Sequence, residues 1–445
     1  MEPLDLARLE FALTTSLHFL FVALTLGLAP LILYMQARWV FGGGPVYERM
    51  TRFWGQIYLV NYALGIVTGI VMEFQFGLNW SGLAKLTGDV FGAAIALETL
   101  VAFFLESTFL GLWIFGWHRL PRIAHLAVFA VVTLTAYASA FFIMVSNSFM
   151  QHPVGYERHG EGIRLTDFGA LVGNPALTAT LAHLLPAALS VGAFFVAGVS
   201  AHHFIRRTRD VDLFGRSMRL GLVVAAVTAP LVMVGGIAQF PVIGAFQPAK
   251  TALTSGSATE LAKARSLLAA RFGPGDLTPP TWIHEVGQVM VYIGQILALL
   301  SLVLLPVMVW RRSIRLRPLL YVMRFLIPLP FVAAVCGWVV REVGRQPWAV
   351  YGLLRTEEAL GDIGPVAITG SLVAFTAVLL LLAAVDYSLI AHLVRRGPEE
   401  DALTLGARTL PAPEPGTTTH LSPDHLSPDH LSPERKETPW TSSGC

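Results

Sequence analysis

Apolar and polar positions in this chain change over on the scale of whole helices. Nine apolar runs, near residues 11–34, 54–73, 90–117, 124–146, 177–204, 220–240, 286–310, 322–341 and 365–393, are separated by stretches that carry most of the charge. A hydrocarbon core of about 30 Å takes about 20 helical residues to cross, and isolated strands cannot satisfy their backbone groups in lipid. The pattern therefore predicts an all-α integral membrane protein with about nine transmembrane helices. Lys and Arg number 17 on the side holding the first, third, fifth and seventh connections and the start of the tail, against 11 on the side with the longer loops. That asymmetry predicts the N-terminus outside, and the 241–285 loop outside with it.

Composition agrees: 54% of the 445 residues are hydrophobic and 13% charged, against roughly 25% charged in soluble chains. Residues 1–10 bring acids but no basic n-region, so the run from Phe11 reads as a retained helix and not a cleaved signal. Cys336 and Cys445 make no disulfide framework. From Arg396 the chain turns to Pro, Thr, Ser, Glu and His, with His-Leu-Ser-Pro-Asp at 420–424 and 425–429 and His-Leu-Ser-Pro-Glu at 430–434. Too little apolar area remains there for ordering, which predicts a membrane domain over 1–395 and a disordered cytoplasmic tail over 396–445; three His at five-residue spacing make only a weak metal tract. The sequence has no phosphate loop, dinucleotide fingerprint, nucleophile elbow or zinc motif. Its arginine clusters are short and follow from topology, so no nucleic acid is expected.

Polar residues inside apolar runs carry the chemistry. His18, His183, Met290 and Glu342 all fall toward the outer ends of their runs, at one depth, although the helices run in both directions. A lone His or Met on a helix is usually packing, but four together are harder to dismiss. His and Met are axial ligands of low-spin haem, and a carboxylate at a membrane helix end needs a cation or a metal. Glu98 and Glu106, eight residues apart on one helix, stand about 12 Å apart along the axis and some 80° around it, without a basic partner in their own run. Intramembrane acids mark ion paths, so protons would travel from inside through Glu106 to Glu98. Asn147 reads as a helix-end hydrogen-bonder. Lys250, in a surface-level loop, reads first as a snorkelling side chain and second as a contact for a substrate headgroup.

Several stretches carry a resemblance: Arg8-Leu-Glu-Phe-Ala-Leu-Thr through His18-Phe-Leu-Phe-Val-Ala-Leu-Thr-Leu-Gly, Met72-Glu-Phe-Gln-Phe-Gly-Leu-Asn-Trp80, Phe103-Phe-Leu-Glu-Ser-Thr-Phe109, Gly116-Trp-His-Arg-Leu120, and Gly337-Trp-Val-Val-Arg-Glu-Val-Gly-Arg-Gln-Pro-Trp348. Over roughly 1–395 the chain resembles subunit I of the cytochrome bd oxidases. That resemblance implies His183 and Met290 as axial ligands of a low-spin haem b, with His18 and Glu342 each serving one of two high-spin haems, a haem b and a haem d or third haem b. It places Glu98 beside that pair as a further candidate ligand, Glu106 behind it on the proton path, Arg345 on the propionates and Trp338 against a haem, all near the outer face. It implies quinol oxidation outside at Lys250, oxygen reduction to water without copper, and proton uptake from the cytoplasm that generates a proton-motive force. The expected partners are a second oxidase subunit and a small single-helix subunit, in the plasma membrane of a prokaryote. Two positions depart from the family pattern: Ser255 stands where an acid usually follows Lys250, and Gln288 where an Arg usually precedes Met290. A donor other than quinol, a haem-b subunit that only passes electrons, and a transporter remain as alternatives. The last would show two related halves, and the sequence shows none.

Overall fold

The computed structural model describes residues 2–309, 316–398 and Leu403. The apolar runs form helices, in order α1 (Pro3–Val40), α2 (Pro45–Asn79), α3 (Ser81–Leu97), a π-turn (Glu98–Phe103), α4 (Phe104–Phe115), α5 (Arg122–Gln151), α6 (Phe168–Val172), α7 (Pro175–Ile205), α8 (Val211–Phe246), α9 (Pro248–Ser255), α10 (Ala258–Phe272), α11 (Ile283–Val309), α12 (Arg317–Phe325), α13 (Pro328–Val343), α14 (Thr356–Ala359) and α15 (Pro365–Arg396). Two small antiparallel hairpins sit in the connections, β1 (Tyr156–His159) with β2 (Gly162–Leu165), and β3 (Trp348–Val350) with β4 (Leu354–Arg355). Proline opens many of these helices, including α1, α2, α7, α13 and α15. Its missing N–H costs nothing at a position that has no intrahelical acceptor.

Eight helical stretches among the described residues are long and apolar enough to cross a membrane. The remaining predicted span, 90–117, is also helical, but the π-turn divides it between α3 and α4. α1 begins eight residues earlier than the hydrophobic run suggests. Its extra turns are held from the side: the Glu10 carboxylate accepts from Asn79 Nδ2 on α2 at 2.8 Å and from Ser371 Oγ on α15 at 2.9 Å. Of the predicted tail, only Arg396–Pro398 and Leu403 are among the described residues.

Within the bundle, polar side chains fasten helices that apolar packing alone would leave free to slide. Asn61 Nδ2 donates to the Phe21 carbonyl at 2.9 Å, and Trp54 Nε1 to Ser217 Oγ at 3.0 Å. α1 and α7 meet at Gly27 and Gly192, where a Cβ on Gly192 would stand 2.4 Å from the Gly27 carbonyl carbon. Small residues let membrane helices pack backbone to backbone. Because the obstacle is backbone, Gly192→Ala should destabilise the folded chain by about 3 kcal/mol, at the top of the usual overpacking range. Thermal unfolding in detergent reads this directly, and an unshifted midpoint would show that the crossing is loose.

Candidate functional site

The last turn of α13 is buried although it carries Arg341 and Glu342. Glu342 is 5% exposed; its Oε2 accepts from Arg345 Nη2 at 2.9 Å and its Oε1 from Asn147 Nδ2 at 2.8 Å. Asn147 Oδ1 accepts from Arg341 Nε at 2.6 Å. A carboxylate only accepts and a guanidinium only donates, so the amide orientation is fixed. Arg341 reaches on to Thr180 Oγ1 on α7 at 2.6 Å. Asn147 therefore does more than close a helix end: it relays between two charged side chains of α13.

Lys250 does not snorkel. It is 6% exposed, and its Nζ donates to the Arg341 carbonyl at 2.8 Å and to Gln151 Oε1 at 3.2 Å. The stem lies over Gly344, where a Cβ would come within 3.0 Å of Lys250 Cε. Burial first, and then the Arg341 charge, hold the ammonium well below the usual lysine range, against the pull of Glu342. Ser255 Oγ turns back to the Ala252 carbonyl in its own helix, and Glu260 pairs with Lys263 on the exposed face of α10. Neither Ser255 nor Glu260 meets the Lys250 amine, which the surface-level loop instead tucks beneath itself.

The two candidate histidine ligands have the same hydrogen-bond arrangement. His183 Nδ1 donates to the Val232 carbonyl at 2.9 Å. His18 Nδ1 stands 2.8 Å from Thr68 Oγ1, whose own proton goes to the Gly65 carbonyl at 2.6 Å, so here too the ring nitrogen is the donor. Both rings therefore carry the proton on Nδ1 and keep the Nε2 lone pair, the form in which imidazole binds a metal. Met290 Sδ lies against α13, 3.0 Å from where a Gly337 Cβ would be. One residue along, Trp338 stacks on Phe19 with ring centres 5.0 Å apart, next in sequence to His18. Thr180, held by Arg341, is one turn from His183. α13 thus gathers Met290, Trp338 and Glu342 beside the helices that carry both histidines.

Glu98 and Glu106 lie on either side of a change in helical winding. Glu98 begins the π-turn and accepts from Ser139 Oγ at 2.7 Å; Glu106 is buried, with Oε1 unpartnered among the described residues. A π-turn adds one residue to the winding, so Glu106 sits as an α-helical seventh neighbour instead of an eighth. The angular offset falls from roughly 80° to roughly 20°, and both acids share one stripe. Tyr62 and Tyr58, whose hydroxyls are buried, neighbour Glu106, with Tyr62 turned toward its carboxyl group. Sequence reasoning missed these tyrosines, as it missed Arg8, Arg341 and Gln151. An aromatic or basic residue near a span end has too many ordinary uses to stand out.

An open cavity beside the last turn of α13 has Glu342, Arg345, Trp348, Trp80 and Arg8 in its wall. Buried donors point to something the protein chain does not provide: Arg345 Nε and Nη1, Trp348 Nε1, Trp80 Nε1 and Arg8 Nε all lack an acceptor among the described residues. Unpaired buried donors are costly. Cationic and indole N–H groups beside a carboxylate fit a group bearing carboxylate arms, which Arg345 and Arg8 would hold, while Glu342 would be the side chain offered to its metal. The residues present fit a haem.

A buried amine also has a pH signature. Lys250 binds its proton less readily in the folded chain than in the unfolded one, so folding stability rises with pH from the lowered folded value up to the ordinary lysine value near 10.5. Lys250→Met should remove this alkaline gain. Denaturation midpoints of both chains across neutral to alkaline pH test it, and parallel curves would contradict the buried placement.

Comparison with known proteins identifies the family. The family model for cytochrome bd terminal oxidase subunit I matches residues 6–273 and 272–398. The chain is 34% identical to cytochrome bd ubiquinol oxidase subunit 1 of Bacillus subtilis (strain 168), over 90% of this chain and 95% of that protein. It is 42% identical over 258 residues to cytochrome bd-II ubiquinol oxidase subunit 1 of Escherichia coli (strain K12), covering 57% of this chain and 50% of that one. Its fold is similar to the solved bd oxidase from Geobacillus thermodenitrificans, with a TM-score of 0.80 at 25% identity over 89% of this chain and 99% of the other. The chain therefore belongs to the cytochrome bd terminal oxidase subunit I family, as a multi-pass protein of a prokaryotic plasma membrane and one subunit of a larger complex.

Proposed function

We propose that this chain is the oxygen-reducing subunit of a quinol oxidase, with a low-spin haem b held by His183 and Met290 and two high-spin haems served by His18 and Glu342. The observation that carries the reading is the set of buried, unpartnered donors around Glu342. Bound haem would supply iron that passes electrons singly and binds oxygen. Glu98 is a further candidate ligand on the same side.

The chain's own residues then have separable tasks. Thr68 and the Val232 carbonyl fix the tautomers of His18 and His183, so that a ligand lone pair is present at neutral pH without rearrangement. Arg345 and Arg8 offer charge to propionates, and Trp338 gives an apolar wall stacked on Phe19. Glu106 and Glu98, aligned by the π-turn, pass protons from the arginine-rich end of the bundle, which the charge asymmetry assigns to the cytoplasm. Tyr62 and Tyr58 extend that stripe. Proton uptake on one side and quinol oxidation on the other make turnover generate a proton-motive force. The high-spin pair is a haem b with a haem d or third haem b. The electron donor is a quinol; a second oxidase subunit and a small single-helix subunit complete the complex.

Reduced-minus-oxidised visible spectra of the purified complex test the ligand assignment. Met290→Leu should abolish the low-spin b band and leave the high-spin bands, and an unaltered low-spin band would refute the pair. Glu106→Gln should slow oxygen consumption by about 100-fold, the low end of what a positioned proton-transfer group contributes, with haem content intact. Undiminished turnover in that variant would take Glu106 off the path.

A further inference from the structure

One buried acid has no part in the function above. Glu10 on α1 is 0% exposed, and among the described residues only neutral donors reach its carboxyl group: Asn79 Nδ2 at 2.8 Å from Oε1 and Ser371 Oγ at 2.9 Å from Oε2. A glutamine would fasten the same helices without the cost of burying a charge. Ser371 gives the acid a second state. Its single hydroxyl proton has two acceptors in reach, Glu10 Oε2 and the Ile368 carbonyl at 3.0 Å, while Asn79 Nδ2 donates to its oxygen at 3.1 Å. With Glu10 ionised, Ser371 donates to it. With Glu10 protonated, the acid donates to Ser371 Oγ and the serine proton turns to Ile368. Both states are fully hydrogen-bonded by the same three side chains.

The triad stands directly behind the cavity. Phe11 and Trp80, next in sequence to Glu10 and Asn79, meet edge to face in its wall with ring centres 6.0 Å apart. Across so apolar a layer a charge is weakly screened. Arg8, on the same helix, lines the cavity and pairs with Asp5 at 3.6 Å. α2 brings no charge between Gln75 and Trp80, and α15 none between Pro365 and Val385. The connection between α14 and α15 brings the exposed Asp362, next to Gly361, whose N–H donates to the Asn79 carbonyl at 2.9 Å.

We propose that Glu10, with Ser371 and Asn79, is a redox-linked proton site that binds a proton when the haem in the cavity is reduced and gives it up when that haem is oxidised. The inference rests on the haem reading above. An electron entering the cavity adds negative charge. Glu10 answers by forming an O–H bond with a proton from water at the outer face, and that bond breaks toward the same face once the electron has passed to oxygen. No proton is consumed over the cycle, and the added charge is neutralised while it is buried. In its ionised state Glu10 opposes reduction, so it also sets how readily the cavity takes an electron.

Spectroelectrochemical titration of the whole purified complex at a series of pH values is the test. In the parent, the midpoint of one haem should fall as pH rises, by up to about 59 mV for each tenfold drop in proton activity and one electron. Glu10→Gln keeps hydrogen bonds to both partners; it should flatten that slope, raise the midpoint at alkaline pH, and remove a carboxyl band from the reduced-minus-oxidised infrared difference spectrum. Ser371→Ala, which takes away the switching hydroxyl, should displace the sloping range along the pH axis. The visible haem bands of both variants should stay those of the parent. A merely structural tie would lower the thermal unfolding midpoint in both variants and leave slope and range as in the parent, and that result would overturn the site. Absence of haem bands from the parent complex would instead overturn the haem reading beneath it.

Discussion

A carboxylate buried at the end of a membrane helix has to be answered by positive charge or by metal, and the architecture around Glu342 is organised by that requirement. Arg345 and Asn147 take its two oxygens, Arg341 takes Asn147, and the Arg341 carbonyl takes Lys250. Removing one member of a buried ionic pair usually costs about 3–5 kcal/mol, so each neighbour constrains the next. Through these contacts α13 is tied to α5, α7 and α9 at one end of the bundle. The β3–β4 hairpin closes over the same end, with the Tyr351 N–H donating to the Met150 carbonyl. Gly344 leaves room for the Lys250 stem and Gly337 for Met290. The Gly-Trp-x-x-x-Glu-x-Gly-Arg-Gln-Pro-Trp stretch therefore has a reason at several positions: a buried carboxylate, the cation that answers it, and two absent side chains where others must pass.

The network is over-supplied with donors. Arg345 spends one of its N–H groups on Glu342 and leaves Nε and Nη1 without an acceptor, while indole N–H groups of Trp348 and Trp80 are in the same position. A protein that buried these groups for structure alone would gain from apolar replacements. Their presence beside a ligand-type carboxylate is explained if carboxylate arms of a bound cofactor complete them, and the family to which the chain belongs is one of haem oxidases. The same economy holds for the histidines, whose Nδ1–H groups are satisfied while Nε2 is kept in reserve.

Much of this was legible in the sequence because membrane spans write themselves as long apolar runs, and because a charged residue inside one has few structural uses. His18, His183, Met290, Glu98, Glu106 and Glu342 stood out on those grounds. Other features depend on partners far along the chain. The early start of α1 rests on Asn79 and Ser371, which no local pattern connects to Glu10. The burial of Lys250 rests on a backbone carbonyl ninety-one residues away, so local composition favoured a snorkelling stem. The π-turn left no mark, since one extra residue in a uniformly apolar helix changes no hydrophobic period, yet it decides whether Glu98 and Glu106 share a stripe.

The central claim is that the unpartnered donors around Glu342 mark a bound haem. An experimental density map of the complete complex tests it most directly. The account predicts a flat macrocycle in the cavity between Arg8 and Arg345, its carboxylate arms on Arg345 and the neighbouring indoles and its iron facing Glu342. A cavity closed by side chains, with the free N–H groups of Arg345 and the indoles turned to other protein acceptors, would contradict it.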